Sequence, residues 1–214
     1  MRIAIPLFDR FTALDAVGPY EVLSRLPGAE VVFVGAEPRA FRTDLGSLAL
    51  LAEARFADVL AAEVVVVPGG PGTRASIHDP ALLDWVRAIH PTTRWTTSVC
   101  TGSLVLAAAG LLAGVDATTH WGAMGELAAL GANPVQARVV ERGKIVTAAG
   151  VSAGIDMALT LAARIAGEQV ARAIQLGIEY DPQPPFDAGN ARTASPELVQ
   201  LVLRLRTARA ETAG

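Results

Sequence analysis

Continuous apolar runs at residues 3–7, 31–34, 64–67 and 95–99 divide the first half of the chain. Such runs lack strict alternation and are rich in β-branched residues, which predicts strands covered on both faces of a parallel sheet. Helical patterns lie between and beyond them. One covers residues 16–26. Another is opened by Asp79 as N-cap and Pro80 at the first helical position, and carries Leu82, Trp85, Val86 and Ile89 on one stripe. Residues 138–140 and 144–148 flank Arg142-Gly143 and predict a hairpin. Residues 151–166 are apolar nearly all round, so they predict a buried helix, and residues 168–180 continue as helix. A loop, Asp181-Pro182-Gln183-Pro184-Pro185-Phe186, leads to a last helix opened by Ser195-Pro196-Glu197. Alternating strands and helices predict an open, doubly wound α/β fold, in which ligands bind beyond the carboxyl ends of the strands. The expected organisation is one α/β domain over residues 1–180, with the loop and helix of residues 181–214 packed on it.

Composition narrows the class. A hydrophobic share of 51% supports a large core in 214 residues, and 18% charged residues leave little for disorder. The net charge is −3, and apart from Arg204, Arg206 and Arg209 the cations are scattered, so no basic face predicts nucleic-acid binding. Residues 95–115 carry no charge and match the roughly 20 residues needed to span a bilayer. They also contain Thr96, Thr97, Ser98, Thr101, Gly102 and Ser103 and turn alanine-rich midway, so a buried strand followed by a buried helix is expected, with no membrane partner. The single cysteine excludes an internal disulfide, and the opening MRIAIPLF reads as a strand rather than a signal peptide. A cytoplasmic location is expected.

That cysteine, Cys100, stands where the β-like run of residues 95–99 gives way to a helix-like run. A thiol on a sharp strand-to-helix turn points out of the sheet. Unpaired N–H groups at a helix start favour an anion, so a lowered thiol pKa and a nucleophilic thiolate are expected. The bland alternative is a small buried hydrophobe.

Other motifs are weaker. Pro68-Gly69-Gly70-Pro71-Gly72 follows a strand, but its spacing and its prolines do not suit a dinucleotide loop. A plain turn accounts for it, or a loop whose N–H serves as an oxyanion donor beside Cys100. Gly150-Val151-Ser152-Ala153-Gly154 matches the serine-hydrolase elbow, yet His78, His90 and His120 all precede Ser152, the wrong order for that fold. Close helix packing is expected there instead. The histidines and the cysteine show no ligand spacing, so no metal site is expected. His90 reads as a helix C-cap; His120, with Trp121, is either a pocket residue or a structurally satisfied one. Asp15 is either an N-cap for the helix of residues 16–26 or a carboxyl that exchanges protons near Cys100.

Five segments in order carry a resemblance: Leu14-Asp15-Ala16-Val17-Gly18-Pro19-Tyr20-Glu21-Val22, Pro68-Gly69-Gly70, Ser98-Val99-Cys100-Thr101-Gly102-Ser103, Thr118-Thr119-His120-Trp121 and Thr147-Ala148-Ala149-Gly150. Together they resemble the ThiJ/PfpI superfamily, with its flavodoxin-like, mostly parallel sheet, and within it the isocyanide hydratase subgroup. The resemblance implies Cys100 as nucleophile, Asp15 as its acid/base partner, and Gly70 and Thr101 as backbone N–H donors near the reacting atom. It further implies hydration of an organic isocyanide to an N-substituted formamide with no cofactor, and a homodimer. Protease-like members carry histidine directly after the cysteine, where this chain has Thr101, and often glutamate in place of Asp15. Two alternatives stay open: a ligand-sensing module like those of AraC-type regulators, and a glyoxalase- or deglycase-type protective enzyme.

Overall fold

The protein is described by a computed structural model that covers the backbone of residues 1–212 and the side chains of residues 1–208. The chain divides into two units, Met1–Glu179 and Tyr180–Gly214.

The first unit is built on a seven-stranded sheet. Its strands are β1 (Arg2–Pro6), β2 (Glu30–Gly35), β5 (Ala54–Arg55), β6 (Val64–Val67), β7 (Trp95–Val99), β10 (Val139–Arg142) and β11 (Ile145–Ala148), in the order β10-β11-β7-β6-β1-β2-β5. All neighbours are parallel except β10, which closes a hairpin with β11 at one edge. Arg142 pairs with Ile145, so two residues form the turn, and Gly143 supplies the positive φ of +60° that such a turn needs. Two small sheets flank this one: β3 (Arg39–Arg42) with β4 (Ala49–Ala52), and β8 (Asp116–Ala117) with β9 (Asn133–Pro134).

The helices are α1 (Ala13–Leu23), α2 (Thr73–Ser76), α3 (Pro80–Ile89), α4 (Gly102–Ala108), α5 (Met124–Ala129), α6 (Ala153–Ala166) and α7 (Glu168–Gly177). Side chains alternate across a strand. Val99 of β7 meets α6 at Gly154, whereas Thr96, three positions earlier, bonds His90 at the end of α3. Helices therefore cover both faces, and the sheet is doubly wound, as the pattern predicts, and flavodoxin-like, as the resemblance implies. Val64, Val65, Val66 and Val67 are fully buried, which is why β6 shows no polar alternation.

Several expected boundaries shift. The first helix starts at Ala13 rather than residue 16 and ends at Leu23. It carries Pro19 inside, where the ring removes the N–H that would bond the Asp15 carbonyl. Thr12 holds the N-cap position, so Asp15 lies within the first turn and the cap reading of Asp15 is corrected. Asp79 does cap α3, accepting the Ala81 N–H at 2.9 Å, and His90 is its C-cap. Residues 95–115 resolve into β7, α4 and turns, and no helix among the described residues is long and apolar enough to cross a membrane. The β3–β4 hairpin had no clear sequence signal, because its alternation is broken by Asp44-Leu45-Gly46-Ser47 and by the apolar run Leu48-Ala49-Leu50-Leu51.

The second unit holds an irregular segment with Phe186 exposed, then α8 (Pro196–Thr212). Ser195 Oγ accepts the Leu198 N–H at 3.3 Å and so caps that helix.

Candidate active site

In the strand order, β1 sits between β6 and β2, so connections leave its two sides in opposite directions and open a crevice at the carboxyl ends. Three segments leave strand ends there. Asp15 follows β1, Gly69 and Gly70 follow β6, and Cys100 follows β7.

Cys100 has φ +56°, a left-handed conformation that a non-glycine residue adopts only when its surroundings hold it. The hold is visible. Its N–H is shared between the carbonyls of Ala148 (3.1 Å) and Ala149 (2.9 Å), and its own carbonyl accepts from Thr119 Oγ1 at 3.0 Å and Ser103 Oγ at 3.3 Å. Gly102 lets the bend press onto β6, since a Cβ there would lie 2.1 Å from the Val67 carbonyl oxygen. The residue is 5% exposed. Around the sulfur stand the N–H groups of Val151 and Thr101, the Thr101 hydroxyl and the Asp15 carboxylate. Val151 is itself strained, at φ +30°. Sequence reasoning missed it, because a β-branched residue gives no sign of a positive φ.

Asp15 is fully buried. Oδ2 accepts the Gly69 N–H at 2.9 Å, and Oδ1 accepts no hydrogen bond of regular geometry among the described residues. Burial pushes the carboxyl up to about 7; the Gly69 N–H and the Cys100 thiol oppose that rise, and the charge of Asp44 adds to it. Asp44 lies in the β3–β4 turn, where Oδ2 accepts from Thr12 Oγ1 at 3.0 Å. No sequence pattern linked it to Asp15.

The thiol departs from expectation. Instead of a lowered pKa, burial first and then the Asp15 charge push Cys100 up to about 12, against the opposing effect of the Val151 and Thr101 donors. Helix α4 has only seven residues, and its start does not offset a neighbouring carboxylate in a site closed to water. Asp15 and Cys100 therefore form a coupled pair in which the first proton to leave is the carboxyl's and the second stays on sulfur.

Gly70 also needs correction. Its N–H donates to Thr101 Oγ1 at 2.9 Å rather than facing the sulfur, and the neighbouring Gly69 N–H is taken by Asp15. Of the two expected donors, only the Thr101 N–H faces the Cys100 sulfur. Neither glycine tolerates a side chain: a Cβ on Gly69 would lie 2.5 Å from the Thr101 nitrogen, and one on Gly70 2.5 Å from the Thr12 nitrogen.

His120 and Trp121 stand one layer out. His120 Nδ1 accepts the Gly122 N–H at 3.0 Å, its ring leans on Trp121 at 5.3 Å between centroids, and its Cδ2 would lie 2.9 Å from a Cβ on Gly150. The ring thus packs on the residue before Val151. The Gly150–Gly154 segment is close packing, as expected, with a Cβ on Gly154 reaching Val99 at 3.0 Å and Pro19 at 3.3 Å. Ser152 is exposed, and its Oγ accepts from Arg138 Nη2 at 3.4 Å. A separate cavity of about 230 Å³, bordered by Phe8, Asp9, Arg39, Phe41 and Phe56, includes neither Cys100 nor Asp15.

Comparison with known proteins matches residues 1–164 to the model of the DJ-1/PfpI family. The chain is 44% identical over 199 residues to an isonitrile hydratase of Pseudomonas putida, covering 93% of this chain and 87% of that one. A crystal structure of a ThiJ/PfpI family protein from Pseudomonas syringae superposes with a TM-score of 0.92 at 36% identity, covering 99% of this chain and 88% of that one. A transcriptional regulator of Pseudomonas aeruginosa, GbdR, is 30% identical over 188 residues, covering 84% of this chain and 50% of the regulator. Sequence and fold agree with the resemblance read from the motifs, and the chain belongs to the DJ-1/PfpI family.

Proposed function

We propose that this protein hydrates an organic isocyanide to the N-substituted formamide, with Cys100 as nucleophile and Asp15 as the proton carrier. The observation that carries the reading is the Asp15 carboxyl buried beside the Cys100 thiol, its Oδ1 without a regular hydrogen bond among the described residues. A carboxyl titrating near pH 7 gives and takes protons at neutral pH. The relationship to an isonitrile hydratase, covering 93% of the chain, supports the substrate class.

The chemistry follows from the proton inventory. Asp15 starts ionised and Cys100 starts as the thiol. The carboxylate takes the thiol proton as sulfur attacks the terminal carbon, and then delivers it to that carbon, which gives a thioimidate, R–N=CH–S. Water adds to the thioimidate carbon, with Asp15 taking one water proton and passing it to nitrogen. Collapse of the adduct breaks the C–S bond, releases R–NH–CHO and returns a proton to sulfur. A covalent intermediate thereby divides one difficult addition into two easier ones. The Thr101 and Val151 N–H groups stabilise charge on sulfur as it develops. A cysteine only 5% exposed also suits a slim, uncharged electrophile whose reacting carbon is terminal.

We also propose a cytoplasmic homodimer. Leu14, 40% exposed at the start of α1, and Val17 one turn on present an apolar face for the contact. Light scattering at micromolar concentration is expected to give twice the chain mass.

The decisive assay incubates the reduced protein with cyclohexyl isocyanide and follows N-cyclohexylformamide. Turnover by the native chain and none by Cys100→Ser is the expected result. No formamide from the reduced native chain removes the proposal, and binding to promoter DNA in that case would move the reading to a regulatory protein.

A further inference from the structure

Beneath the thiol lies a small hydroxyl network that the proposed reaction does not yet use. Thr73, fully buried in α2, places its Oγ1 2.6 Å from the Gly70 carbonyl oxygen and 3.0 Å from Thr101 Oγ1. The Thr73 N–H reaches the same carbonyl at 3.1 Å. Thr101 Oγ1 accepts the Gly70 N–H at 2.9 Å and itself lies 3.1 Å from the Gly70 carbonyl oxygen.

Counting donors and acceptors decides where the protons go. A carbonyl oxygen has two lone pairs. The Thr73 N–H and the Thr73 hydroxyl occupy both on Gly70, the hydroxyl through the shortest contact in the network. Thr101 has one proton to give, and its nearest carbonyl acceptor is already filled. The acceptors left within its reach are Thr73 Oγ1, 3.0 Å away, and the Cys100 sulfur, and the Thr101 hydroxyl is among the groups that hydrogen-bond the sulfur.

We infer that Thr73 is a positioning residue: by occupying the Gly70 carbonyl it directs the Thr101 hydroxyl proton at the Cys100 sulfur. The inference rests on the reading of Cys100 as nucleophile and adds to it a residue whose hydroxyl donates to the Gly70 carbonyl and lies 3.0 Å from Thr101 Oγ1. The Thr101 hydroxyl is among the groups that hold down the thiol pKa against burial and the Asp15 charge. Removing the Thr73 hydroxyl frees a lone pair on Gly70, the Thr101 proton turns to it, and a developing thiolate loses a donor.

The test uses iodoacetamide, a small neutral alkylating agent, and measures the rate of Cys100 modification from pH 6 to 10. The titratable groups around the sulfur are Asp15 from α1, Asp44 behind it in the β3–β4 turn, and His120 on the Gly150 side, all unchanged in the variants. Thr73→Val is expected to slow alkylation about three- to tenfold at pH 8 and to move the profile to higher pH, as loss of a hydrogen bond to a charged group implies. Thr73→Ser is expected to restore the rate to within about twofold. In a Thr101→Val background, Thr73→Val is expected to have no further effect, because the pair acts as one unit. If Thr73→Val does not fold, Thr73→Ala carries the same expectations. A profile that superimposes on the native one, a Ser variant as slow as Val, or equal losses in both backgrounds would overturn the inference. The reagent is not an isocyanide, so failure of the proposed activity would leave this measurement readable.

Discussion

Asp15 Oδ2 is tied to the Gly69 N–H at 2.9 Å, across 54 positions of sequence. That bond fixes the carboxyl at the end of β6 and leaves Oδ1 buried without a regular partner. One oxygen anchors the group, and the carboxyl lies beside the thiol. A buried polar atom left open costs stability, so its persistence here points to function.

Asp15→Asn tests both sides of that trade. The carboxyl titrates at 3.8 when unperturbed and at about 7 in the fold. Between those values the native state binds more protons than the unfolded one, so stability falls as pH rises from about 4 to about 7. The Asn variant escapes this cost and keeps an acceptor for Gly69. It is expected to be more stable than the native chain at pH 8, by roughly 1–3 kcal/mol, and to lose its advantage near pH 4. Isocyanide turnover should fall by about 10² or more. Urea unfolding at the two pH values decides the first point; equal stabilities at pH 8 would refute it.

The rate itself should rise with pH through about 7, because Asp15 must be ionised to accept the thiol proton. Asp44 contributes a negative charge that raises Asp15, so Asp44→Asn is expected to move this limb to lower pH. A pH profile of kcat/KM reads the effect. A limb that stays in place or moves upward contradicts the assignment.

Two glycines separate necessity from tolerance. A methyl group at Gly102 meets the Val67 carbonyl oxygen at 2.1 Å, and backbone cannot yield without moving β6 or the bend that holds Cys100. Gly102→Ala is expected to lose several kcal/mol or fail to fold. Gly125, in α5, has nothing within 4 Å of an added Cβ, so Gly125→Ala should gain about 0.5–1 kcal/mol. Thermal melts of both variants give the comparison, and a destabilised Gly125→Ala would contradict it.

Ser98 is fully buried on β7, two residues before Cys100, and its hydroxyl has no partner among the described residues. Ser98→Ala is therefore expected to be neutral or to stabilise by up to about 1 kcal/mol, with turnover unchanged. A loss of more than about 1 kcal/mol would show that the hydroxyl is satisfied in solution.

Much of the framework is legible along the chain because burial on both faces leaves a strong one-dimensional trace. The valine run of β6 and the Asp79-Pro80 start of α3 each report a local constraint and stand where the pattern placed them, while the expected hairpin forms with its turn at Gly143-Lys144, one residue later than the pattern placed it. The β3–β4 hairpin escaped notice because its strands are short and partly exposed, with no strict alternation. Its turn nevertheless brings Asp44 close enough to act on Asp15.

The sequence by itself determined the α/β order, the single thiol at a strand end, and an acid after the first strand. Each of these depends on residue type and on neighbours a few positions away. Only the tertiary structure decided what those residues do to one another: that Asp15 pairs with Gly69 instead of capping its helix, that the Gly70 N–H turns to Thr101, and that the thiol is raised rather than lowered. Proton affinities and donor assignments depend on burial and on charges within a few ångströms, and those distances join residues far apart in the chain.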